Sequence, residues 1–568
     1  MKRALLGSAV FTVIAIGGCS LFTTFPDEVE EASSTSSSDS SSSSSNSSTG
    51  TEMTSSSSGG CVKSDDGCQT VCDAPFTYCA PAPIYQGEVV LTSPSVVTPY
   101  EPSIVLTGAM LDSTGEPLLI GAFYGDGSTA LGGTGQTKIT GTSAGNGIVV
   151  RANGTPVVAL SPCDPDIGTP PDTVGDLLLT GIAPVNGTGF ALAGGFIGPK
   201  LVQHKGTLNC ADVNAMYSHV EGKMTPFIWF FNASAFPGPG FEPPAGQQTG
   251  DAVYTDMVGM TATAVAAVGV SSGPAFAEQS QSAVEQFFLV TSAGGSERSV
   301  RTLAAVPCQG VVDINVQDAS VELGPMNGGS PELWVAGTTG CAGAYRGFFE
   351  RWSTLPDTAP DIDMSLDAFA FNTMGEMRIQ ELEIEGDSMI IAGIYSGEVD
   401  ILVDGAPIPP GSASGDIFVA RYPIEGFDNR TQPTWFQRFI NADATPGDVS
   451  GLDIEGPRVF MSGRLQKELS IGDVFGCGDD GFPDGGRGFV AEFDVATGAL
   501  GWVRVDGSVP PTGNVMAPRE AFTSTVIATP KGHVYSAVST KGDVVMECGE
   551  GSTDPSKPSA TLLHHTLP

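Results

Sequence analysis

The chain has 568 residues, more than one ordinary domain, although closed all-β architectures reach this length as single units. It carries 25 Lys and Arg against 63 Asp and Glu, a formal net charge of −38. Such a balance argues against nucleic acid and anionic lipid surfaces as partners, because both need clustered cations to displace counterions.

At the N-terminus, Lys2 and Arg3 precede an apolar run from Ala4 to Ile16, and Ile16-Gly17-Gly18-Cys19 follows. The run is too short for a good membrane span, which needs about 20 residues, and has the shape of a signal peptide. It resembles a bacterial lipoprotein signal, with Ile16 standing where that pattern usually has Leu. The resemblance implies that residues 1–18 are removed and that Cys19 is the lipidated first residue of an exported chain. Ser20 after the cysteine implies delivery to the outer membrane in that family, with the side displayed left open.

Residues 19–60 are expected to be a disordered tether. From Glu31 to Gly60 the chain is almost wholly Ser, Thr, Gly and acids, with no apolar period to offset the entropy of ordering. At the dimensions of a flexible coil its reach is about 35 Å. Cys61, Cys68, Cys72 and Cys79 then fall in a small module over 61–80. Their spacing lacks the C-x2-C pairs of a zinc knuckle, so disulfides are expected in an exported chain, in any of three pairings.

Residues 81–568 read as a ring of repeats. A hydrophobic strand ending in a small residue and Gly recurs seven times, from Leu119-Ile120-Gly121 through Ile391-Ala392-Gly393 and Met461-Ser462-Gly463 to a degraded Tyr535-Ser536-Ala537. Steps between anchors are 73, 75, 68, 56, 70 and 74 residues. A second strand signature follows most anchors, as in Asp416 to Tyr422 and Gly488 to Phe493, and only loosely at Phe227–Phe230 and Ala560–His564. Short alternating strands between Gly/Asp turns make antiparallel sheets of about four strands. Sheets that cannot bury two faces alone must stack around an axis. The fold expected is therefore all-β, a seven-bladed β-propeller. Trp435 and Trp502 begin outer strands and are expected to pack between blades. The chain stops at Pro568 one strand short, and the spare strand Gly87 to Thr92 is expected to complete the last sheet, leaving no edge open there.

Residues 380–507 carry a further resemblance, to the β-propeller repeats abundant in surface lipoproteins of myxobacteria and their relatives. The stretch Asp494-Val495-Ala496-Thr497-Gly498 to Trp502 also looks like the docking motif of quinoprotein-like propellers. One copy of it specifies a strand–turn–strand and no quinone site.

Positions in the blade map pair Cys163 with Cys210 and Cys308 with Cys341, and leave Cys477 for Cys548. The ten cysteines beyond Cys19 make an even number, as an oxidised envelope protein should have. No H-E-x-x-H, G-x-S-x-G or phosphate-loop pattern occurs. His564 and His565 should point to opposite faces of one strand, which disfavours a joint metal site. No cofactor is expected, the one exception being calcium at the acidic loop of Asp473, Asp479, Asp480 and Asp484. Three functions fit these residues. The favoured one is a non-catalytic, lipid-anchored envelope propeller that binds protein or glycan. The alternative is a structural or assembly role in the outer membrane or surface coat, which would show an exposed apolar or edge-strand patch and no pocket at all. An envelope hydrolase or lyase is the third, and would show an axial pocket lined by acids, His and Arg.

Overall fold

In the computed structural model, seven antiparallel sheets stand around an axis as a seven-bladed β-propeller. The structure describes residues 76–78, 84–92 and most of 104–566, with several connections between strands lying outside the described residues. Blade 1 begins at Ile104–Leu111 and blade 7 at Glu520–Ala528, and these are innermost strands. Every anchor read from the sequence lies on the second strand of its blade, and every second signature on the third.

The repeated glycine has a steric cause. Gly121 faces Leu106 of its inner strand, and a Cβ on it would lie 2.0 Å from the Val105 carbonyl oxygen. A Cβ on Gly393 would lie 1.9 Å from the Arg378 carbonyl oxygen. In blade 7 the pairing corrects the expected alignment. Val538, not Ala537, stands opposite Thr523 in the place that glycine holds in the other blades.

Apolar side chains from both faces of each sheet meet those of its neighbours, so the core lies between blades. Leu118, Ile120 and Val149 of blade 1 pack with Leu192, Phe227 and Trp229 of blade 2. Trp435 joins the core between blades 5 and 6, and Trp502 that between blades 6 and 7, as expected. The docking motif fixes one of these joints. Asp494 Oδ1 accepts from Thr497 N at 2.8 Å and Oγ1 at 2.7 Å, which closes the turn. Gly498, at φ +69°, then lies against the Trp435 ring, whose Nε1 donates to the Val495 carbonyl at 2.8 Å.

The spare strand closes the ring. Ile84–Thr92 pairs antiparallel with Ser559–Thr566, so blade 7 is built from both ends of the chain. Four blades then annex further strands at their outer edges. Lys200–His204 joins blade 1, Leu469–Ile471 blade 5, Asp543–Val545 blade 6 and Ser128–Leu131 blade 7. Each comes from the connection between second and third strands of the following blade. Blade 6 also takes Phe76–Tyr78, from within the cysteine-rich module, with Thr77 opposite Arg504.

Candidate functional site

The inner strands enclose an axial cavity of about 160 Å³, to which all seven blades contribute. Its wall is shaped by bulges. Six inner strands carry an extra residue at the same level: Thr107, Thr180, Thr255, Gln380, Ser450 and Ser524. A bulge re-aims a side chain and frees backbone groups from the ladder. Here most of the re-aimed polar groups reach the next blade. Thr107 Oγ1 donates to the Leu179 carbonyl at 2.6 Å, Thr180 to Tyr254 at 2.7 Å and Thr255 to Ala319 at 2.7 Å. Blade 4, which lacks a bulge at this level, uses Thr338 from its second strand, donating to the Ile379 carbonyl at 3.0 Å. Val449 N donates to Gln380 Oε1 at 3.2 Å, and Ser450 Oγ to the Thr523 carbonyl at 2.5 Å. Ser539 Oγ donates to the Ile104 carbonyl at 3.4 Å and completes the circuit. Each blade is thus hydrogen-bonded to the next by a side chain.

Beyond the bulges the wall turns acidic along four successive blades, through Asp256, Glu322, Glu383 and Asp453. Asp256 accepts from Ser320 Oγ at 2.7 Å and from Val321 N at 2.9 Å, which ties blade 3 to blade 4. Asp453 accepts from Ala528 N of blade 7 at 2.5 Å. Burial pushes all four carboxyls up from the ordinary range, Asp453 to about 7. Repulsion adds to burial at Glu322, which faces Asp256, and at Glu383, which faces Glu322, Asp453, Asp256 and Glu381. Among the described lining residues there is no Lys, Arg or His. The described lining thus combines carboxyls with hydroxyls and an amide, and no cation.

Histidines gather elsewhere. His564 Nε2 lies 3.1 Å from His533 Nδ1 and the His564 ring stacks on Tyr535, whereas His565 is buried beside Arg504 at 2.9 Å. The two neighbours do take opposite faces, and it is His533, not His565, that His564 meets. Burial, and then His533, lower the His564 pKa. Among the described residues no three His, Cys, Asp or Glu side chains are arranged to hold a metal.

Asp473, Asp479, Asp480 and Asp484 lie outside the described residues, as do Cys19, Cys61, Cys68, Cys72, Cys79, Cys210, Cys308, Cys477 and Cys548. Cys163 is buried and disulfide-bonded, and Cys341 ends the second strand of blade 4. The bulge residues and the axial acids were missed in the sequence. The signal that would have found five of the six bulges is a Thr, Ser or Gln 13 or 14 residues before the strand-two glycine, as at Thr107 and Gly121 or Ser450 and Gly463; Gly337 of blade 4 has no such residue and blade 7 has no such glycine.

No family model and no curated protein matches the chain. Solved structures do. The quinohemoprotein alcohol dehydrogenase of Comamonas testosteroni is 10% identical, with a TM-score of 0.34, covering 79% of this chain and 67% of that one. Phage phi92 endosialidase is 9% identical at a TM-score of 0.34, over 84% of this chain and 69% of its own. A quinohemoprotein alcohol dehydrogenase from Pseudomonas putida is 11% identical at 0.30, over 82% and 76%. At these identities the likeness is one of fold and extends to no activity.

Proposed function

We propose that the chain is a lipid-anchored cell-envelope protein, held through Cys19, whose propeller serves as a non-catalytic scaffold for binding protein or glycan. The observation that carries this reading is the outer circumference. Its sheets take up extended chain from outside their own blades, most plainly where blade 6 accepts Phe76–Tyr78 from the segment ahead of the ring. Edges of this kind bind through main-chain hydrogen bonds, with side-chain pockets adding selectivity. The axis supports the same reading from the other side, because its hydroxyls and amide are engaged in joining the blades. An assembly role in the outer membrane or surface coat is the second reading, favoured by exposed Met364 and Leu366 on the outer strand of blade 4.

The test is cross-linking of the full-length lipidated chain in intact envelopes, with calcium and with EDTA, followed by identification of the adducts. A reproducible protein or glycan adduct under either condition is expected. A calcium-dependent one would bring Asp473, Asp479, Asp480 and Asp484 into the binding site. Adducts to copies of the chain alone would favour the structural role, and turnover of an envelope glycan by the purified chain would overturn the non-catalytic reading.

A further inference from the structure

The last blade brings two histidines together from neighbouring strands. His533 opens the second strand of blade 7, His533–Lys541, and His564 lies near the end of the third, Ser559–Thr566. In the antiparallel register His533 stands opposite Thr566, and Tyr535 opposite His564, so these four side chains share one face of the sheet. Each histidine is held in place. The His533 amide donates to Thr529 Oγ1 at 3.2 Å and its carbonyl accepts from Thr529 N at 2.8 Å, which pins it to the turn before the strand. His564 is paired on both sides, with Tyr535 and with Gly87 of the closing strand. The Tyr535 ring stacks on it, with centroids 4.4 Å apart and planes 6° from parallel, and so sets its orientation. His564 Nε2 and His533 Nδ1 then meet at 3.1 Å, with Thr566 Oγ1 3.4 Å from the latter. Both rings are partly exposed.

A straight N–H···N hydrogen bond would keep both ring centres on the line of the bond, about 5.4 Å apart at this nitrogen separation. The centres are 4.8 Å apart, so the rings are turned off that line. Two imidazoles on one ion, with bonds of about 2.0–2.1 Å at angles of about 90–109°, set their nitrogens about 2.8–3.4 Å apart and their ring centres about 4.5–5.3 Å apart. Both observed separations, 3.1 and 4.8 Å, fall within those ranges. We infer that His533 Nδ1 and His564 Nε2 form a two-histidine site for a divalent transition ion of the zinc or copper class. Imidazole suits such ions, whereas calcium and magnesium take oxygen ligands. Among the described residues no third His, Cys, Asp or Glu completes the set. Water therefore fills the remaining positions, and the ion is held less tightly than in a four-ligand structural site. Charge does not oppose it. Lys531, in the turn before the strand, is paired with Glu116 of blade 1 at 3.6 Å, and that carboxylate also acts on His564 across the seam. The bound ion ties the second strand of blade 7 to the third, in the blade that closes the ring. The inference goes beyond the scaffold reading and does not depend on it.

The test uses the full chain in detergent, with its cysteines kept oxidised and calcium in excess to occupy oxygen-rich surface sites. Zn²⁺ titrated by calorimetry should bind saturably and raise the unfolding midpoint as its concentration rises, as a ligand specific to the folded state does. His533→Gln and His564→Gln should each weaken binding by about tenfold or more, equivalent to roughly 1.4 kcal/mol, and remove the effect of zinc on the midpoint. His219→Gln should change neither. Midpoints measured without metal show whether each variant keeps the fold. A second measurement needs no variant: Cu²⁺ at one equivalent on the unsubstituted chain should show two nitrogen ligands in its electron paramagnetic resonance spectrum. A copper spectrum of oxygen ligands alone would overturn the inference, as would zinc affinity unchanged in His564→Gln, since metal uptake would then belong to the acidic surface. Absence of saturable zinc binding would also overturn it and leave the histidines as a hydrogen-bonded pair. None of these results bears on the envelope adducts by which the scaffold reading is tested.

Discussion

At Gly393 the smallest side chain is set by the neighbouring strand, because the Arg378 carbonyl leaves no room for a methyl group. Gly393→Ala should therefore cost about 1–3 kcal/mol as the inner strand shifts, read as a lower urea midpoint. Thr255 presents a different case, since its hydroxyl joins two blades. Thr255→Val leaves the Ala319 carbonyl without that donor and should cost about 1–2 kcal/mol, while Thr255→Ser should recover most of it. The glycines were legible because strand-ending glycine is rare enough to show as a repeat. The hydroxyls were not, since Thr is also an ordinary strand former and only the pairing register exposes the bulge. Asp453 gives a pH test. Its raised pKa means that the folded chain holds a proton that the unfolded chain has released. Stability from this group is therefore fully present below about pH 4 and is lost as pH rises towards about 7. Asp453→Asn, which can still accept from Ala528 N, should raise the unfolding midpoint at pH 8 and flatten its fall between pH 5 and 8.

Among elements, the closing strand was readable as a count: six blades had four strands and the last had three. Ile84–Thr92 supplies the fourth, beginning three residues earlier than the apolar pattern indicated. The annexed strands were not readable. Leu469–Ile471 and Val474–Phe475 are three and two residues long and flank Gly472 and Asp473, so their local sequence reads as a Gly/Asp loop. What makes them strands is the waiting edge of blade 5, which no local pattern encodes. The closing strand allows a direct test. Val89→Pro puts a residue that cannot donate into the ladder opposite Leu562 and should lower the urea midpoint. Protection of the Ser559–Thr566 amides from hydrogen exchange should fall with it.

For the whole molecule, the ring was legible in the sequence, while the taking up of further strands depends on which edges the assembled circumference presents. Cys19→Ser should move the chain from the membrane fraction to the soluble fraction with the same unfolding midpoint, if lipid is its only hold on the envelope. Closure also joins residues 84–92 to 559–566, nearly the full chain apart. Contacts of such separation form slowly, so the ring cannot be finished until its last strand has been made.

The same closure has a mechanical side. The chain enters the ring at its circumference, through Phe76–Tyr78 on blade 6 and then Ile84–Thr92 on blade 7. Tension on the N-terminal segment would first load the three-residue pairing on blade 6, and only afterwards the longer ladder that closes the ring. The short pairing is thus placed as a fuse, able to part and re-form under drag while the seven blades stay shut.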